Sequence, residues 1–282
     1  MFSVLCAEKS SIGFSISTNS FIKPEWLDTT NPKLNLVNHE DYIPQKFLPC
    51  FNSSLIEVYL HKIPDLAEHF VYFNDDFFII DHLKKERFFQ DGIPCDIAAF
   101  RYNSGMGLWS KCLLNNIKLI NEHFDKKEVM QRDHDKWFTK LYGKKARLNR
   151  LLKHYPKFIT LRTPHNAQPY LKSSFEEVWQ YCDKELTEMS YNRFRSANDY
   201  TQELFRTWQI CKSDFIPYNT YNDTKMFPLV LRSKEAIKAI ENQSYKLVCI
   251  NDNEHIRNYE QTMHSLQNAF ESILPEKSTF EL

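Results

Sequence analysis

Two short apolar runs in this chain stop at an Asn-Asp pair. Phe70-Val71-Tyr72-Phe73 runs into Asn74-Asp75-Asp76, and Tyr245-Lys246-Leu247-Val248-Cys249-Ile250 runs into Asn251-Asp252-Asn253. Runs of this kind read as buried strands, because aromatic and β-branched side chains pack well on a pleated surface. Asn and Asp then supply the turn. In an open parallel sheet, ligands gather beyond the carboxyl ends of the strands. The two strands are therefore expected in one sheet, parallel, with both acidic turns at one end and sharing a site.

Helical spacing fills much of the remainder. Ile56, Tyr59, Leu60 and Ile63 follow it after a cap at Ser53 or Ser54, with Pro64 ending or bending the helix. Leu108, Trp109, Cys112, Leu113, Ile117, Ile120 and Phe124 form one apolar face. Ser173 and Glu176 fit a capping box, and Phe175, Val178, Trp179, Cys182 and Leu186 continue the stripe. Tyr200, Leu204, Phe205 and Trp208 make another stripe, and Tyr259, Met263, Leu266, Phe270 and Ile273 make a last one. Such stripes are read as core. Lys33 to Val37 alternates like a short strand. Met1 to Ser20 is read as lacking periodicity, and Phe21 to Leu27 as extended chain. The expected class is α/β: a Rossmann-like, mainly parallel central sheet, a large helical insertion at about residues 100–160 and a helical C-terminal half.

Composition narrows the function. The 282 residues balance 36 Lys and Arg against 36 Asp and Glu, which argues against a protein that wraps nucleic acid non-specifically. Aromatics at 15% with only 5 Gly exclude a linker or a disordered chain. No apolar run approaches the ~20 residues that span a bilayer, and no basic flank precedes an apolar stretch as in a secretory signal. The seven scattered cysteines include no CxxC pair, so reduced thiols are expected rather than a zinc site or a disulfide framework. From Asp125 to Lys153, ten basic residues face four acidic ones. A solvated helical surface is the expectation there, with a site for a phosphate-bearing polymer or an anionic membrane face as the alternative.

Adjacent carboxylates at a strand end, Asp75 and Asp76, concentrate charge where a divalent cation can be held against a pyrophosphate. Taken alone, such a pair more often marks a solvated turn. Repetition at Asp252 strengthens the functional reading. His165, in a loop between Pro164 and Asn166, and Arg195, in Asn192-Arg193-Phe194-Arg195, are by themselves ordinary surface residues. Arginine can nonetheless grip phosphate with two donors, and an imidazole titrates near neutrality.

Together these segments closely resemble a known family. Leu48-Pro49-Cys50-Phe51-Asn52-Ser53-Ser54-Leu55-Ile56-Glu57, then Leu60 to Leu66 and Phe70 to Asp76, resemble the second signature block of the Stealth family of hexose-1-phosphate transferases. His165 with Gln168 to Lys172, and Asn192 to Arg195, look like the third block, and Cys249 to Asn253 like the fourth. The family's first block, an apolar strand with its Trp-Val-Asp/Asn-Gly type turn, is not present, and residues 1–20 match nothing recognised in it. Residues 21–282 are expected to form a single Stealth-type catalytic domain, weakly active or inactive alone for want of that block.

What the resemblance implies is carried residue by residue. Glu57, Asp76, His165 and Arg195 match the catalytic positions; Asn52, Asn74, Arg193 and Asn251 are expected to bind substrate; Asp75, Asp76 and Asp252 are expected to hold Mg²⁺ or Mn²⁺. Glu57 could orient His165 or bind the acceptor. The implied reaction moves hexose-1-phosphate from a nucleotide-sugar donor to a hydroxyl of an oligo- or polysaccharide in capsule or exopolysaccharide synthesis. It forms a phosphodiester and releases nucleoside monophosphate, in the cytoplasm or at the inner face of the membrane, with no nucleic acid partner. A metal-dependent glycosyltransferase, releasing nucleoside diphosphate, and a non-catalytic truncated remnant are the alternatives.

Overall fold

A computed structural model describes residues 3–9, 11–18, 24–252 and 255–282. Phe21 to Lys23, expected to be extended, and Asn253 of the second acidic turn lie outside them. The strands are β1 (Ser3–Lys9), β2 (Ser11–Thr18), β3 (Leu34–Asn38), β4 (His69–Phe73), β5 (Phe77–Ile79), β6 (Phe89–Gln90), β7 (Ile93–Asp96), β8 (Gln168–Leu171), β9 (Ile216–Pro217), β10 (Thr224–Pro228) and β11 (Leu247–Asn251). The helices are α1 (His39–Tyr42), α2 (Ser53–Val58), α3 (Leu108–His123), α4 (Lys126–Arg132), α5 (His134–Trp137), α6 (Arg147–Leu151), α7 (Lys172–Met189), α8 (Glu203–Lys212), α9 (Leu229–Glu241) and α10 (Tyr259–Ile273).

The α/β class is as expected, but the sheets are not. The largest has the order β3-β2-β1-β4-β8, and only β2 and β3 pair in parallel within it. The mainly parallel central sheet is therefore corrected. The residues read as aperiodic form the hairpin β1–β2, whose register pairs Ser3 with Ser17. The alternation Ile12, Phe14, Ile16 against Gly13, Ser15 and Ser17 was the overlooked signal.

β11 does not join β4. It lies between β10, parallel, and β5, antiparallel, in a separate three-stranded sheet. The turn Asn74 to Asp76 is the passage between the two sheets, since the chain leaves β4, turns, and enters the second sheet as β5. Ile250 N donates to Asp76 O at 2.8 Å, which fastens the passage to β11. The two acidic turns are thus neighbours across an antiparallel pair rather than tips of parallel strands.

The main core gathers Phe70, Tyr170, Phe175 and Phe205 from β4, β8, α7 and α8, with Phe100 and Trp137 from the helical segment. Phe175 and Phe205 stack at 3.9 Å. A smaller core of Ile80, Phe227, Ile240, Val248 and Leu266 seats α9 and α10 on the second sheet. Two cap readings are corrected. Asn52, not Ser53 or Ser54, caps α2 by accepting from Ser54 N at 3.1 Å. The helix at Ser173 begins at Lys172 without a capping box, because Ser173 N and Oγ donate instead to Glu68.

The basic stretch 125–153 is not one solvated face. Lys126 is 2% exposed, and its Nζ donates to the carbonyls of Leu152, Lys153 and Tyr155 beyond α6. Lys136 donates likewise to Ser213 and Phe215. These ammoniums satisfy carbonyls left over at chain reversals, a local task that composition alone does not reveal.

Candidate active site

Antiparallel pairing of β4 with β8 sets Tyr72 opposite Gln168. Residues just past β4 and just before β8 therefore share one edge, and Asp76 meets His165 there, with Nε2 3.4 Å from Oδ2. Pairing of β5 with β11 sets Cys249 opposite Phe77, and the Cys249 thiol donates to the same Asp76 oxygen at 3.1 Å. Burial pushes Asp76 upward in pKa, but the hydrogen bonds from His165 and Cys249 outweigh it and hold the carboxyl below its ordinary range. His165 sits at φ +40 with its ring edge-on to Phe77. Histidine is among the side chains that tolerate this backbone region.

A cleft of about 860 Å³ opens beside this pair, and Glu57, His165 and Arg195 all line it. That volume suits a nucleotide-sized ligand. Glu57 comes from α2 beneath β4 and bonds not to His165 but to the Tyr72 hydroxyl, which lies 3.0 Å from its Oε1. Tyr72 also bonds Asn74 Oδ1. The Tyr72 hydroxyl donates to Glu57, so this carboxyl, Tyr72 and Asn74 form one polar cluster at the cleft wall. Burial raises the Glu57 pKa to about 7, against the opposing pull of the Tyr72 hydrogen bond. The consequence for stability has a definite sign. The unfolded carboxyl titrates near its ordinary 4.5 and the folded one near 7, so the folded chain binds the extra proton between these values. Its contribution to stability is fully present below pH 4.5 and is lost as pH rises through 7, roughly 3 kcal/mol in all. Melting temperatures of Glu57→Gln, which stays neutral, should vary less over this window than those of the unsubstituted chain; parallel curves would contradict the assignment.

Arg195 reaches the cleft because its loop is tied to the start of α2. Its Nε donates to Ser53 Oγ at 3.0 Å. Asn52 is fully buried, and its Nδ2 donates to Asn192 O at 3.1 Å and Asp199 Oδ2 at 2.9 Å. Asp199 also accepts from Asn192 Nδ2 and Ser196 N. The expectation that Asn52 binds substrate is corrected, since its amide is consumed in holding the arginine loop. Asn74 does line the cleft. Arg193 is not brought to it: the side chain is exposed and the carbonyl accepts from Phe51 N. Asn251, exposed at the end of β11, is likewise outside the lining.

The three carboxylates expected to hold a cation do not close into one ligand set. Asp75 and Asp252 are exposed. Loss of water around Asp75, with the charges of Asp76 and Asp252 near it, raises its pKa. Among the described residues, the donors that gather within 4.8 Å of one another are those of Asp76, His165 and Cys249. Asp76 Oδ1 is buried without a hydrogen-bond partner. An unclaimed carboxylate oxygen beside the cleft fits a magnesium-type ion, which takes one or two protein carboxylates and completes its shell with water and phosphate.

Tyr72, Asp199, Cys249 as a donor to Asp76, and the basic lining residues Arg101, Lys145, Arg162 and Lys225 escaped sequence reasoning about the site. The hydroxyl-bearing Tyr72 within the otherwise apolar run Phe70 to Phe73 was the one available signal; the others depend on long-range pairing.

Residues 14–95 match the family model described as Stealth protein CR2, conserved region 2. That match begins seven residues before the boundary expected at residue 21. The chain is 37% identical over 264 residues to the capsular polysaccharide phosphotransferase WcwK of Streptococcus pneumoniae, covering 92% of this chain and 77% of the relative. It is 35% identical to the exopolysaccharide phosphotransferase cps2G of Lactiplantibacillus plantarum, with 92% and 77% covered. The receptor polysaccharide phosphotransferase WefC of Streptococcus gordonii is 34% identical, with 92% and 78% covered. Likeness at this level, running through the strands and loops that build the cleft, makes this chain an enzyme of the transferase class belonging to the Stealth family.

Proposed function

We propose that the chain acts as a phosphotransferase of capsule or exopolysaccharide synthesis, moving hexose-1-phosphate from a nucleotide sugar to a hydroxyl of a saccharide acceptor. The products are a phosphodiester and a nucleoside monophosphate. The observation that carries this reading is the meeting of His165 and Asp76 at one edge of a cleft that Glu57 and Arg195 also line. In this reading His165 removes the proton of the acceptor hydroxyl as it attacks phosphorus. Asp76, beside the ring, stabilises the imidazolium that results. Arg195 offers two parallel donors to oxygens that gain charge in the transition state. Glu57 anchors the Tyr72 hydroxyl, and with Asn74 they form the polar wall of the cleft that orients the acceptor. A divalent cation bound at Asp76, with Asp75 and Asp252 nearby, would neutralise the pyrophosphate.

Among the described residues no helix is long and apolar enough to cross a membrane.

Product analysis tests the proposal. Incubation with a nucleotide sugar, Mg²⁺ and a capsule oligosaccharide should release nucleoside monophosphate, and phosphorus NMR should show a new phosphodiester. EDTA should stop turnover and added Mg²⁺ restore it. Release of nucleoside diphosphate instead would identify a glycosyltransferase and overturn the reading.

A further inference from the structure

One part of the cleft lining is built from cations that the family resemblance does not touch. Arg101 and Arg162 stand on two segments joined by an antiparallel bridge at Phe100 and Leu161, with Arg162 N donating to Ala99 O at 2.7 Å and Arg101 N to Thr160 O at 2.8 Å. Lys145 comes from the basic stretch. Its ammonium lies 4.2 Å from the Tyr221 ring centroid, and Arg162 Nε donates to its carbonyl at 3.3 Å. Lys225 comes from β10. All four line the cleft, and none is in an ion pair among the described residues.

Cations that line one cleft without an ion-pair partner repel one another. Burial, with Arg162 and Lys225 nearby, lowers the pKa of Lys145. The hydroxyl of Tyr221, its pKa raised by burial, feels Arg206, Arg162 and Arg101 in turn. Such an arrangement is relieved by an anion carrying more than one charge. His165 follows Arg162 by three residues, a reach of at most about 11 Å along the chain, so an anion on this lining sits beside the reacting centre.

We infer that Arg101, Lys145, Arg162 and Lys225 form a diphosphate site. Resting on the transfer reading above, it takes the diphosphate of the donor and aligns the sugar-linked phosphorus toward His165. A saccharide phosphodiester carries a single negative charge and matches four cations poorly; a diphosphate diester carries two, and inorganic pyrophosphate more. Charge-assisted bonds to phosphate are the strong class of hydrogen bond, and arginine supplies them in pairs.

The test uses the full chain and inorganic pyrophosphate, by isothermal titration in metal-stripped buffer at low salt, so that neither transfer nor a cation enters the measurement. Pyrophosphate should bind at one site, at least tenfold more tightly than orthophosphate or glycerophosphoglycerol, and more weakly as salt rises. Lys145→Ala, Arg162→Ala and Lys225→Ala should each weaken it about tenfold or more. Lys144→Ala, at an exposed neighbour outside the lining, should not. Circular dichroism establishes that each variant is folded, and Lys145→Gln, Arg162→Gln or Lys225→Gln replaces the alanine variant of the same residue where it is not. No binding to the unsubstituted chain, or equal binding to all variants, overturns the inference. Equal affinity for glycerophosphoglycerol overturns it in favour of a phosphodiester polymer. A chain that binds pyrophosphate in this pattern but yields the wrong product leaves the site standing and sinks only the transfer reading.

Discussion

Replacing His165 with asparagine is expected to lower turnover by about 10²–10⁴-fold, the range usual for loss of a positioned general base. The choice of asparagine matters. His165 occupies φ +40, and alanine there would add backbone strain to the loss of the imidazole, whereas asparagine tolerates the left-handed region. Binding of the proposed nucleotide-sugar donor should change little, because in the proposed mechanism the substitution removes a group needed in the transition state rather than one that holds the ground state. Added imidazole should restore part of the rate if the cleft admits it. Should His165→Asn retain more than a third of the activity, the base lies elsewhere, and Glu57, with its pKa raised to about 7, becomes the candidate. Asp76→Asn distinguishes the partners further: it keeps the shape of the turn while removing the negative charge beside His165 and one of the two side-chain oxygens.

The second large effect concerns what lies under the cleft. Arg206 is fully buried. Its Nε and Nη2 each donate to Asp96 at 2.7 Å, its Nη1 donates to Glu203 Oε2 at 3.1 Å, and Nη2 also reaches Ile97 O at 3.0 Å. Gln168 Nε2 adds a bond to Asp96 Oδ2 at 2.8 Å. The guanidinium thus joins the end of β7 to α8, and Asp96 extends the cluster to Gln168 at the start of β8, the strand that follows His165. Arg206→Met fills much of the volume but leaves the Asp96 and Glu203 carboxylates buried without their cation. Breaking one side of such a cluster costs about 3–5 kcal/mol. In a chain of this size that corresponds to a fall in Tm on the order of 10 °C.

Adding Asp96→Asn and Glu203→Gln to Arg206→Met should recover part of the loss, since both carboxylates are then discharged. A single substitution that leaves Tm within 2 °C, by scanning calorimetry, would mean that water or rearrangement satisfies the carboxylates, and the cluster would lose its structural role. Activity offers a second readout. If the cluster fixes the register of β8 against α8, Arg206→Met should lower turnover even at temperatures where the protein remains folded.

Local pattern alone was enough to find β4, β11, α3 and α10, because alternation and helical spacing are properties of neighbouring residues. It also marked the acidic turns, and the family blocks singled out Glu57, Asp76, His165 and Arg195, three of which line the cleft while the fourth lies beside His165. Strand direction was not legible. Whether β4 pairs parallel or antiparallel depends on which strand the chain brings alongside, and that choice is made by packing between residues far apart in sequence. The hairpin β1–β2 takes one flank of β4 and β8 takes the other, so β11 joins a different sheet.

The same reason explains the site residues that sequence misassigned or missed. Asn52 reads as a polar residue near a site, yet α2 and the arginine loop close over it and use up its amide. Asp75 and Asp252 read as ligands equal to Asp76, yet only Asp76 is drawn against His165 and Cys249. The unpaired cations come from residues 101, 145, 162 and 225, on four segments with no shared pattern. Sequence determined which residues could carry charge, turn the chain or bury a ring. Tertiary structure decided which of them face one another, because hydrogen bonds and desolvation act between groups in space and are indifferent to distance along the chain.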